Sequence, residues 1–247
     1  YGTLHARQLL KAHHRGRFRL DRLVVVDRHA DCRARGELAG EPLVRFVAAE
    51  WHDFLLDYLA AADPEAQLVP APYAPHLLLD WLETSLARAA PGLALRRAAF
   101  PYELGLPYEH LDGSGNRYLS WAAWRCPPTC IEPATCPKIR QERGWDLGET
   151  LRQFVAQRPH CAQSAAIFTC LHFGYGIGTI PVRELLGARE RLRETAERGA
   201  LPHRALVATV SHCHGVVNIL ELAPAAPDAA ALSLAAAPAL AGSQVGG

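Results

Sequence analysis

Three cysteines stand close together and offer the clearest chemistry in this chain. Cys126, Cys130 and Cys136 are spaced C-x3-C-x5-C within WAAWRCPPTCIEPATCP. Prolines at 127, 128, 133 and 137 fix φ and remove backbone donors, which predicts a stiff, non-helical loop. Thiols preset in this way lose little entropy on taking a ligand. Soft donors at this spacing suit an iron–sulfur cluster or, as an alternative, zinc. A disulfide or three unrelated thiols are the readings without a metal.

Two more segments combine cysteine with histidine at the end of an apolar run. Cys170 and His172 close the run at 165–171, and His212, Cys213 and His214 follow the run at 204–211; a glycine comes soon after each. If those runs are parallel neighbours, their ends share one side of the sheet and the cysteine loop can fold over it. Five thiols and three imidazoles then converge, with Cys170 or Cys213 as a fourth ligand. His172 or His212 would act as general acid or base, because imidazole titrates near neutral pH. Alternation in an extended chain would put His212 and His214 on one face and Cys213 on the other. The bland reading is that these are buried core residues.

The rest of the chain must position these groups. Among 247 residues, Lys+Arg number 26 and Asp+Glu 25, a net charge of +1 that gives no field for nucleic acid. No apolar run reaches the length of a membrane span. Seven cysteines without an export signal read as thiols or ligands of a cytoplasmic protein. There is no methionine, so Tyr1 reads as the start of a fragment. Strand-like runs at 23–26, 43–48, 67–70 and 93–100 alternate with helical patterns at 51–62 and 75–89. That alternation predicts an α/β fold with a doubly wound, mostly parallel sheet and an inserted cysteine-rich loop. Residues 101–120 break it with a hairpin turning at 113–116, where Glu109, His110 and Asp112 are possible acid–base groups. Asp146 should cap a helix to Gln157, with Glu149 as its capping-box partner. A run at 174–178, GYGIG, precedes a helix at 181–199, an arrangement in which Gly174 and Gly176 would admit a phosphate. The predicted organisation is 1–100, 101–160, 161–222 and a disordered Ala/Pro tail at 223–247.

Residues 1–27 resemble a Rossmann-type dinucleotide-binding unit whose first strand is missing. A helix from Thr3 leads to the apolar strand 23–26, which ends in Asp27. The resemblance implies that Gly2 is the last fingerprint glycine and that Asp27 bonds a ribose of NAD(P). Cys136-Pro137 likewise resembles the close of an iron–sulfur ligand run, although the full spacing matches neither ferredoxin pattern. Together these imply an iron–sulfur oxidoreductase or Lewis-acid enzyme acting on a small molecule or nucleotide. The alternatives are a nucleotide-binding sensor with structural zinc, or an interaction protein without a ligand.

Overall fold

The computed structural model describes residues 2–70, 74, 76–126 and 130–225. The N-terminal part alternates helix and strand: α1 (Gly2–His14), β1 (Leu23–Asp27), α2 (Arg33–Glu37), β2 (Val44–Ala48) and α3 (Trp51–Ala60). Strands β1 and β2 are parallel, with Leu23 opposite Val44 and Asp27 opposite Ala48. Because side chains alternate along a strand, Leu23, Val25, Val44 and Phe46 share a face; Ala6 and Leu10 of α1 pack there with Leu38. The Trp51 indole donates to the Val26 carbonyl at 3.1 Å and ties α3 to the end of β1.

The chain continues through β3 (Gln67–Leu68), α4 (Leu77–Ala89), β4 (Leu93–Ala98), β5 (Tyr108–Leu111), β6 (Arg117–Ser120), β7 (Thr135–Cys136) and β8 (Gln141–Glu142). It ends with α5 (Leu147–Gln157), β9 (Ser164–Thr169), β10 (Leu171–Gly174), β11 (Ile177–Pro181), α6 (Val182–Glu197), β12 (His203–Val210) and β13 (His214–Pro224). The long strand β13 organises the main sheet. One edge pairs antiparallel with β12 along its length. The other edge is shared between β6, opposite 214–217, and β4, opposite 219–224. Beyond β12 lies β9, which is parallel to it, and beyond β6 lies β5.

Helices cover both faces of this sheet. On one side Leu82 and Leu86 of α4 and Leu185 of α6 pack on Phe168, Val207 and Leu220. On the other, Leu147, Leu151 and Phe154 of α5 pack on Leu206, Ala208, Val217 and Ile219. Burial on both faces explains why these strands read as unbroken apolar runs.

The expected doubly wound, mostly parallel sheet is not what forms. The main sheet is mixed: among the described residues only β9 and β12 are parallel within it, and β4, β5, β6 and β13 are joined by antiparallel pairings. Besides it there are the β1–β2 pair, a three-stranded antiparallel sheet of β10, β11 and β3, and the small hairpin β7–β8. An unbroken apolar run reports burial on two faces, and an antiparallel sheet sandwiched by helices satisfies that equally well.

Other expectations hold locally. Residues 112–116 turn the β5–β6 hairpin, and Asp112 accepts from the Ser114 and Asn116 amides at 2.8 and 2.9 Å. Gly199, at φ +71°, stops the chain just after α6, in the left-handed region that costs glycine nothing. The expected Ala/Pro tail does not begin at 223, since β13 runs on through Pro224; from residue 226 onward it lies outside the described residues.

Candidate metal centre

The β12–β13 turn, Ser211–His212–Cys213, collects the site. Its backbone takes hydrogen bonds from two elements: the Trp121 amide donates to the Cys213 carbonyl and the Leu147 amide to the His212 carbonyl, both at 2.9 Å. The turn therefore sits between the end of β6 and the start of α5. Because 211–213 form a turn, strand alternation does not apply to them, and the expected common face for His212 and His214 is overturned. His212 Nδ1 meets Asp146 Oδ2 at 2.6 Å, whereas His214 Nδ1 meets the Ser120 hydroxyl at 2.9 Å.

Cys213 is 6% exposed and receives the Trp145 indole N–H at 3.3 Å. Burial pushes its thiol up to about 11, and the Glu132 carboxylate and Cys126 add to that rise. Burial also raises Cys126; nearby Cys130, Cys136 and Glu132 add to the rise and the Trp124 indole opposes it. Cys126 thus lies near Cys130 and Cys136, and near Cys213. Cys130 accepts the Glu132 amide at 3.4 Å. Among the described residues, no three His, Cys, Asp or Glu side chains are closed around a point as a single coordinated ion would require.

Three tryptophans line this region. The rings of Trp121 and Trp145 lie 6.5 Å apart and nearly parallel, and Trp124 meets Trp145 edge-on at the same distance. Among the described residues, the buried Trp121 indole nitrogen has no hydrogen-bond partner, and the buried Trp124 indole nitrogen is turned toward the Cys126 thiol. Buried N–H donors near thiols favour the anionic form of sulfur and tune whatever metal the sulfur holds.

Glu132 sits in the middle of the loop and was not legible as a site residue. Its φ of +49° is rare for a side chain larger than glycine, a strain of about 1–3 kcal/mol where the surroundings impose it. Its carboxylate accepts from the Ser211 hydroxyl at 2.6 Å and from the His212 amide at 2.8 Å.

The other predicted residues are dispersed. Burial and the Glu132 carboxylate push the Cys170 thiol up to about 12. Its sulfur rests against Gly178, where a Cβ would fall 2.6 Å from it. His172 is exposed and accepts the Gly176 amide at 3.2 Å across its own hairpin turn. Gly174 and Gly176 belong to that turn, with Tyr175 at φ +47° and Gly176 at +78°, and β11 separates them from α6. Two successive positive-φ residues make the tight turn of a β-hairpin, so the predicted strand–turn–helix phosphate site does not form. Glu109 bonds the Leu104 and Leu106 amides and the buried Arg117. Gly2 opens α1 with open space around it, and Asp27 ends β1, its carboxylate accepting the His29 amide at 2.9 Å.

Beside the thiols opens a cleft of about 750 Å³. Trp121, Trp145, Arg143, Asp146, Thr150 and His212 are among its walls. Arg143 is held by the Pro133 and Trp145 carbonyls at 3.4 and 3.0 Å.

Asp146 works twice. It caps α5 as expected, accepting the Glu149 amide at 2.9 Å, although Glu149 bonds Arg152 and Gln153 and does not complete the box. Burial alone would raise its carboxyl; the Glu149 amide and the His212 ring outweigh that and hold it below the usual range. A depressed carboxyl adds stability that is complete above the unfolded value of about 3.9 and is lost as pH falls through the lower folded value. Asp146→Ala should cost about 1 kcal/mol at pH 7 from the lost cap. In urea unfolding, the gap to wild type should narrow near pH 3.

Residues 76–223 match the AF_1314_C family, described as "Uncharacterized protein, C-terminal domain". The chain belongs to this family. The family region takes in the main sheet except Pro224, the last residue of β13, together with the cysteine loop and α4 to α6. No curated protein matches the chain. No solved structure matches it either. Among the described residues, no helix is long and apolar enough to cross a membrane.

Proposed function

We propose that this chain is a metal-dependent redox or Lewis-acid enzyme whose centre is an iron–sulfur cluster on Cys126, Cys130, Cys136 and Cys213. The observation that carries the reading is that Cys213 lies near Cys126 of the loop, with the Trp145 N–H on its sulfur. Four soft donors in an indole-lined, half-buried place fit an iron–sulfur centre. Bound there, such a group would supply electrons or an open Lewis-acid position. The chain's own residues would do the rest. A small-molecule substrate would occupy the cleft lined by Trp121, Trp145 and His212. Asp146 orients His212 through Nδ1, which leaves Nε2 to take or give a proton.

A structural zinc on the same thiols is the second reading. The observation in its favour is the hairpin β7–β8, two residues per strand, which carries Cys136 and is too short to be stable alone. Anaerobic purification followed by an absorbance spectrum and iron, sulfide and zinc analysis separates them. Iron and sulfide in equal amounts with a broad visible band is the expected result. A colourless protein with one zinc supports the second reading, and a metal-free protein overturns both.

A nucleotide contribution rests on Asp27 at the end of parallel β1. NAD(H) and NADP(H) titrated by calorimetry should bind, and Asp27→Ala should weaken the tighter one at least tenfold. Equal binding by both proteins would leave the likeness purely architectural.

A further inference from the structure

Glu132 joins two segments that lie far apart in the sequence. Among the described residues, its carboxylate makes the only hydrogen bonds from the loop 126–136 to the turn 211–213. The connection runs on to the fourth thiol, since the Ser211 hydroxyl receives the Cys213 amide at 3.3 Å and the His214 amide at 3.2 Å. The bonds at 2.6 and 2.8 Å are short, as expected for an ionised acceptor. The left-handed backbone at Glu132 aims the side chain at the turn, a conformation kept only where its surroundings demand it. Its charge reaches Cys126, Cys170, Cys213 and His214.

We infer that Glu132 is a positioning residue: a latch that holds the loop 126–136 to the turn that carries Cys213, and whose negative charge sets the potential of a cluster bound there. The second half rests on the iron–sulfur reading; the first does not.

The full-length chain, reduced and stripped with a chelator, is labelled with iodoacetamide and each cysteine is followed by peptide mass spectrometry. Cys213, at 6% exposure, should label slowly in wild type and at least tenfold faster in Glu132→Ala. Ser211→Ala should fall between. Cys161, 1% exposed beneath α5, is the control for global unfolding. If it labels too in Glu132→Ala, then Glu132→Gln and Ser211→Ala decide. An unchanged Cys213 rate in folded variants overturns the latch whether or not metal binds. In the iron-loaded protein, Glu132→Gln keeps one acceptor oxygen and removes the charge. It should retain iron and shift the midpoint potential positive; retained iron with an unmoved potential overturns the charge role. Wild type free of iron, with the labelling difference intact, sinks the cluster and the charge role together and leaves the latch standing.

Discussion

Serine at Cys126, Cys130, Cys136 or Cys213 is expected to strip most of the iron from the chain, while serine at Cys161 or Cys170 leaves it bound. The first four thiols are linked through Cys126, which is near Cys130 and Cys136 on one side and Cys213 on the other. Cys161 is sealed in the core against α5, and Cys170 rests on the backbone of Gly178. Metal binding and loop ordering are coupled, so loss of one ligand should also lower thermal stability in the loaded protein. Iron content per chain after anaerobic purification is the measurement. Full retention in any two of the first four variants removes the centre from consideration, and loss in Cys170→Ser would move the fourth position there.

The second large effect concerns a residue with no chemistry of its own. Gly215 lies opposite Val210 at the first pair of the β12–β13 hairpin and opposite Leu119 of β6. A Cβ there would run into the Val210 side chain and lie 2.9 Å from the Thr209 carbonyl oxygen. Backbone atoms cannot step aside, so Gly215→Ala must open the hairpin at its turn. Overpacking of this kind costs about 1–3 kcal/mol. The displaced atoms carry Cys213 and the Asp146–His212 pair, so metal content should fall as well. Urea unfolding and iron analysis of the variant test this together; a stability within about 0.5 kcal/mol of wild type would mean the hairpin absorbs the methyl group.

The elements of this fold were more legible than their connections. Strands 93–98, 164–169 and 203–210 fall where apolar runs predict them, and α5 starts at the Asp146 cap. The parallel pairing of β9 and β12 also follows from the strand–helix–strand pattern around α6. The direction of β4 and β13 did not, because helices on both faces erase the alternation that marks an antiparallel strand. At the site, spacing pointed to Cys126, Cys130 and Cys136, and two apolar runs ending in cysteine and histidine pointed to one end of the sheet. The placing of Cys213 near Cys126, while Cys170 rests on Gly178, depends on a three-residue turn hidden in SHCHG. Glu132 left no mark, since a positive φ in glutamate is imposed by tertiary contacts.

The hairpin turn at 211–213 also orders events during protein synthesis. A chain emerging from the ribosome at roughly 5–20 residues per second exposes the loop thiols first and Cys213 seconds later. Through that interval the Glu132 carboxylate lacks Ser211 and the His212 amide, and Cys126, Cys130 and Cys136 have no cover from the main sheet. A metal held by all four thiols would therefore enter only after the last strand is made.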